Sequence, residues 1–249
     1  MQQWVKNLAR SVVRSRGYAI SKHPTVAFQA LSVFDLAVEL LQRQKGPTLK
    51  FIQVGANDGV MGDPISKFVR RYPWRGVLVE PQPDVFDRLK SNYAAQSDRL
   101  IFENVAISPT RGQLDMYRAP ATLRGDSGPA SGVVSVDPKV AAAQLRIPID
   151  QLERFTVPCL PLDDLVKKYD WGDVDILTID AEGKDCEVLL SLDLAATTPA
   201  IVQFEHGHLS PQDIDRAVGR LASHGYRVLY GGYQIDTVAV RPAALAVPE

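Results

Sequence analysis

The chain has 249 residues, 45% hydrophobic and 23% charged, which supplies enough apolar side chains for a sizeable core and excludes disordered and collagen-like classes. Its 28 Lys and Arg balance 29 Asp and Glu, so no overall positive field exists to hold a phosphate backbone and nucleic acid is not an expected partner. Cys159 and Cys186 show neither C-x-x-C nor zinc spacing, no run approaches the ~18 apolar residues of a membrane span, and the expected setting is reducing and cytoplasmic.

Residues 1–46 read as a helical arm. Lys6, Arg10, Arg14, Arg16 and Lys22 meet no Asp or Glu before Asp35. These cations also interrupt any apolar signal-peptide core. Lys6, Arg10 and Arg14 recur every four residues, as do Trp4, Leu8 and Val12, the pattern of an amphipathic helix with a basic stripe. Its apolar side has two readings: packing on the domain or on a second subunit of a homodimer, or peripheral contact with the anionic inner face of a membrane. A second helix is predicted over 24–43, closed by Gly46-Pro47.

From residue 47 to 249 strands and helices alternate, the signature of a Rossmann-like, doubly wound α/β fold. Strands are predicted over 49–54, 76–80, 100–106, 175–179, 200–204, 227–230 and 235–240. Helices are predicted over 65–72, 84–95, 162–169, 186–191 and 211–224. Only four residues separate the last two strands, so the seven-stranded sheet is expected to be mostly parallel with an antiparallel C-terminal hairpin. Residues 112–118 read as an extra strand. An insertion over about 119–150, rich in Gly, Pro, Ser and Ala at its start, breaks the rhythm and suits a lid or substrate-binding element.

The strongest chemical signal is Phe51-Ile52-Gln53-Val54-Gly55-Ala56-Asn57-Asp58-Gly59, an apolar strand running into a glycine turn. Gly55 and Gly59 offer no Cβ, so a ligand can approach the backbone. The G-x-x-x-G spacing, with Asn57 where a dinucleotide fingerprint has its middle glycine, argues against a pyrophosphate on the turn. Glu80 ends the second strand and suits the two hydroxyls of a ribose. Asn104 ends the third strand and is a candidate for the adenine side. Asp180 and Glu205 end later strands at the same sheet edge, followed by His206 and His208. An imidazole titrates near neutrality, so either histidine suits a general base. No metal is assigned, although Asp180 with Glu205, His206 and His208 is a competing divalent-ion reading. Glu182 and the pair Asp163-Asp164 suit helix-capping duties.

Together, Val54-Gly55-Ala56-Asn57-Asp58-Gly59, Val79-Glu80-Pro81, Asn104-Val105-Ala106-Ile107-Ser108, Leu162-Asp163-Asp164-Leu165 and Ile179-Asp180-Ala181-Glu182-Gly183 resemble the FkbM family of S-adenosylmethionine-dependent methyltransferases. The resemblance runs from about residue 49 to 240. Gln53 departs from the Asp that the family often carries before V-G-A-N. The resemblance implies S-adenosyl-L-methionine as cofactor, with Gln53, Gly55, Ala56, Asn57, Gly59, Glu80, Asn104 and Asp180 as its contacts. It also implies methyl transfer to a hydroxyl of a sugar, glycan or other natural product, for which the strand ends offer Asp180, Glu205, His206 and His208 as catalytic candidates. The competing functions are a catalytically silent methyltransferase-like binding subunit and a dinucleotide-dependent oxidoreductase.

Overall fold

The computed structural model describes residues 32–124, 132–230 and 236–245. The chain divides into two units, residues 1–31 and 32–249. The first, with the basic stripe of the expected arm helix, lies outside the described residues. In chain order the strands are β1 (Lys50–Val54), β2 (Arg75–Val79), β3 (Leu100–Glu103), β4 (Ala106–Ile107), β5 (Gly112–Arg118), β6 (Val134–Ser135), β7 (Glu153–Leu160), β8 (Ile176–Ile179), β9 (Ile201–Glu205), β10 (Arg227–Tyr230) and β11 (Asp236–Val240).

Seven of them form one sheet in the order β10-β11-β9-β8-β1-β2-β3. The ladder from β3 to β9 is parallel, and β11 runs antiparallel between β9 and β10. From β1 the chain winds outward through β2 and β3, then returns to β8 and β9 on the other side. The winding therefore reverses between β1 and β8, where an open α/β sheet leaves a crevice at its C-terminal edge. Alternate residues of each strand feed two separate cores. Ile52, Val54, Leu177, Ile179, Val202 and Phe204 face one, and Phe51, Ile176 and Ile201 face the other.

The helix expected over 24–43 is observed over Val33–Lys45 among the described residues. Ser32 caps it by accepting from the Asp35 N–H at 3.0 Å. Phe34, Val38 and Leu41 are buried in the second core, so this helix belongs to the body by packing. No helix among the described residues is long and apolar enough to cross a membrane.

The strand expected over 100–106 is split. The Asn104 side chain donates to the carbonyls of Glu80 (2.8 Å) and Pro81 (3.0 Å), and beyond it β4 joins a second sheet of order β4-β7-β5-β6. Sequence reading predicted β5 and missed β6 and β7. Pro158 and the charged start Glu153-Arg154 make β7 a poor strand candidate, yet it pairs with β5 from Gly112↔Cys159 to Arg118↔Glu153. The region read as an irregular insertion thus carries helices Ala121–Arg124 and Pro138–Leu145 with β6 between them. Arg118 and Arg124 are buried and both pair with Asp84 and Glu153, which fastens this region to the helix Pro83–Asn92. Asp163 and Asp164 lie in the first turn of helix Leu162–Tyr169 without capping it; Asp163 accepts from the Asp193 N–H and Asp164 pairs with Arg111.

Candidate functional site

The β1 turn is shaped by its neighbours. Gly55 has φ +76°, and its N–H and that of Ala56 both donate to the Val79 carbonyl. A Cβ at Gly55 would lie 1.9 Å from the Asp180 carbonyl oxygen, and one at Gly59 2.4 Å from the Tyr93 ring. Both glycines are thus required by protein neighbours rather than by open space for a ligand, which corrects the reason expected from sequence. Gly55→Val therefore should not leave the fold intact. It is expected to destabilise the protein by at least about 3 kcal/mol, overpacking and left-handed strain together, as read by urea unfolding. An unchanged midpoint would refute this account of the turn.

Two clefts meet at this turn. The first, about 260 Å³, is bordered by Glu80, Pro81 and Val105 beside the main sheet and by Ile107, Leu114, Met116 and Val134 of the second sheet. The second, about 240 Å³, is bordered by Gln53, Ala56, Asp63, Thr178, Gln203, Glu205 and Asp236. Val54, Gly55, Asn57 and Asp180 border both.

Glu80 is buried, with one oxygen accepting from the Asn57 N–H at 3.0 Å and the other from the Gln82 N–H at 2.9 Å. Asn57 holds φ +47°, which aims its N–H at that carboxyl. Burial pushes the Glu80 carboxyl up to about 7 against these hydrogen bonds, with the Asp180 charge adding to the rise. Each carboxylate oxygen keeps further lone-pair capacity toward the cleft it lines. Asn104 does not border either cleft; its amide is committed to the turn after β2 and positions Glu80 from behind. Gly59 borders neither cleft, and Gln53 borders only the second, where its Nε2 donates to Asp63 at 3.2 Å.

The groups expected to do chemistry gather at the ends of β8 and β9. Asp180 and Glu205 both border the second cleft, at the ends of paired strands. Burial raises both, helped at Asp180 by the Asp236 charge and at Glu205 by the Asp180 charge, Glu205 to about 9. His208 Nε2 stands 3.7 Å from Glu205 Oε1 and 3.8 Å from Glu182 Oε2, with the His208 side chain 38% exposed. These three residues place their ligand atoms within 4.8 Å of one another. Glu182 does not cap a helix: it holds φ +48°, accepts from Gln144 at 2.9 Å, and burial raises it to about 7. His206 turns away, its Nδ1 2.9 Å from the Thr237 hydroxyl on β11, and neither histidine is on the border of either cleft.

Sequence reading missed Asp185. It is fully buried, and its Oδ1 accepts from the Ala181 and Glu205 N–H groups, pinning the loop after β8 to the end of β9. Burial raises its carboxyl to about 8. The available signal was an acid five residues beyond Asp180, at the start of helix Asp185–Leu190.

The residues around the first cleft suit S-adenosylmethionine. Apolar walls from Pro81, Val105 and Ile107 can sandwich a planar base, and the Glu80 carboxylate can accept the ribose hydroxyls. The family model of the methyltransferase FkbM domain matches residues 53–228, more than half of the chain. No curated protein matches the sequence. Among solved structures, the methyltransferase FkbM from Methylobacillus flagellatus KT is 12% identical with a TM-score of 0.48, covering 78% of this chain and 44% of that one. The chain therefore spans less than half the length of that relative. The N-terminal domain of human METTL16 in complex with SAH is 14% identical with a TM-score of 0.44, covering 94% and 80%.

Proposed function

The chain belongs to the FkbM family of S-adenosylmethionine-dependent methyltransferases, and we propose that it transfers the methyl group to a hydroxyl of a small molecule, sugar or glycan. When bound, the cofactor supplies an electrophilic methyl group that leaves a neutral thioether behind. Glu80, fixed by the Asn57 and Gln82 N–H groups, accepts the ribose hydroxyls in the first cleft. The acceptor hydroxyl approaches between Glu182, which borders the first cleft, and Glu205, which borders the second, the two carboxyls that flank His208. His208 takes the hydroxyl proton, and Glu205 and Glu182, each under 4 Å away, stabilise the imidazolium that results. Asp180 and Glu205, which end neighbouring strands, orient the acceptor oxygen, and positioning supplies the rest of the rate.

The observation that carries this reading is the shared border of the two clefts. Val54, Gly55, Asn57 and Asp180 border both, with Glu80 on the first and Glu205 on the second, so the two clefts meet along one edge. Incubation with labelled S-adenosylmethionine and a panel of sugars, glycans and polyketides tests it. The expected product gains the mass of one methyl group on oxygen. Cofactor binding without transfer to any hydroxyl would favour a silent binding subunit, and binding of NAD in its place would favour an oxidoreductase.

A further inference from the structure

We propose that Gln144, in the last turn of the helix Pro138–Leu145, is a positioning residue for methyl transfer: it fixes the Glu182 carboxyl against His208 and so ties the inserted region to the proton-accepting group. The proposal rests on the methyltransferase reading with His208 as base, and adds to it a residue that borders neither cleft.

The helix is held at its start. Asp137 caps it by accepting from the Lys139 N–H at 2.8 Å, and the Asp137 N–H donates in turn to the Ser135 hydroxyl on β6 at 3.2 Å. Ala141 is fully buried, and Gln144 follows three residues on, on the same side of the helix. This side faces inward, and from it Gln144 reaches the loop after β8.

One carboxylate oxygen joins the two groups. Gln144 Nε2 donates to Glu182 Oε2 at 2.9 Å, and His208 Nε2 stands 3.8 Å from the same oxygen. A carboxylate accepts only from the amide nitrogen, so this contact also fixes which way the amide points. Gln144 Oε1 is then left buried with no hydrogen-bond partner among the described residues. A buried acceptor without a donor costs stability, and an apolar side chain of similar size would pack without that cost. Fold stability therefore does not account for an amide here. What the amide supplies is an N–H aimed at the carboxyl beside the base.

Glu182 has use for that donor. Its backbone is held at φ +48°, so only its side-chain torsions are free to aim the carboxyl. Asp180 of the same loop repels its charge, and Glu205 and His208 face it from the end of β9 and the loop beyond. Lys184, on the border of the same cleft, is paired with Glu187 at 2.8 Å. Burial and the Asp180 charge raise the Glu182 carboxyl to about 7, and the Gln144 N–H opposes them by favouring the ionised form. Only the ionised form stabilises an imidazolium, so Gln144 extends downward the pH range in which His208 has a counter-charge.

Two measurements on Gln144→Leu and Gln144→Lys test the assignment, with unchanged S-adenosylhomocysteine affinity reporting that each variant is folded. The first is carboxyl ¹³C NMR of glutamate-labelled protein in EDTA, with Glu182→Gln identifying the signal. Gln144→Leu is expected to raise the proton affinity of Glu182 about tenfold, and Gln144→Lys, which keeps a donor and adds a positive charge, to lower it. The second is turnover on the acceptors found in the panel of sugars, glycans and polyketides. Gln144→Leu is expected to be about fivefold slower than the unsubstituted protein at pH 7 and nearly equal to it at pH 9, because Glu182 is ionised there in both. Gln144→Lys is expected to keep its turnover at both. An unmoved Glu182 titration, or a loss of turnover that is the same at pH 7 and pH 9, overturns the proposal, the latter because it marks a purely structural residue. Product analysis keeps the two readings apart. O-methyl product with an unmoved titration removes only the role of Gln144, whereas a moved titration with no O-methyl product on any acceptor removes the O-methyltransferase reading.

Discussion

Replacing His208 by alanine is expected to lower turnover by about 100-fold or more while S-adenosylmethionine affinity stays nearly unchanged. The imidazole is the group at this edge that combines access from solvent with two carboxyls under 4 Å away. Those carboxyls stabilise the charge that forms as the hydroxyl proton arrives, so removing the ring removes both acceptor and relay. His206→Ala provides the contrast. Its ring engages Thr237 on β11, whereas His208 stands beside Glu182 and Glu205, and its loss should change turnover only a few-fold. Steady-state kinetics on both variants decides between them. Full activity in His208→Ala removes it as base, and a large loss in His206→Ala alone would move the role there.

Glu80→Ala is expected to weaken S-adenosylmethionine binding by about 1.5 to 3 kcal/mol, the range for a charge-assisted hydrogen bond. The same carboxyl gives the binding a pH dependence. Ribose hydroxyls donate, so they favour the ionised carboxylate, whereas burial raises this group to about 7 in the free protein. Affinity should therefore fall as pH drops from 8 to 6, with proton release on binding below about 7. Glu80→Gln should flatten that profile, because an amide does not titrate in this range. Calorimetry across pH, with unchanged affinity in Glu80→Ala or an unchanged slope in Glu80→Gln, would remove the ribose assignment.

The local pattern of the chain was enough to find the main sheet. Its strands are short apolar runs between turn residues, and each maps within one or two positions of a predicted one, apart from the split run at 100–106, because buried parallel strands have little choice of residue. The same holds for Glu80, Asp180 and Glu205, since a carboxylate at the end of such a strand reaches the crevice wherever the strand pairs. The second sheet was not legible. Its strand β7 mixes Pro158 with exposed charged residues, and only pairing with β5 makes it a strand.

Sequence by itself determined the fold class, the family and the sheet edge at which the candidate site gathers, because these follow from strand periodicity and from motifs confined to single turns. Tertiary structure decided the rest. Gly55 is glycine because the Asp180 carbonyl crosses it, Asn104 braces a turn because β2 ends beside it, and His208 rather than His206 meets Glu182 because two loops converge from different strands. Gln53, Thr178 and Gln203, which border the second cleft side by side, have no joint signature along the chain, since they lie more than 20 residues apart in sequence and become neighbours only through the register of three strands. Contacts of that kind depend on which strands pair and at what offset, which is set by burial of the whole sheet and not by any local run of residues.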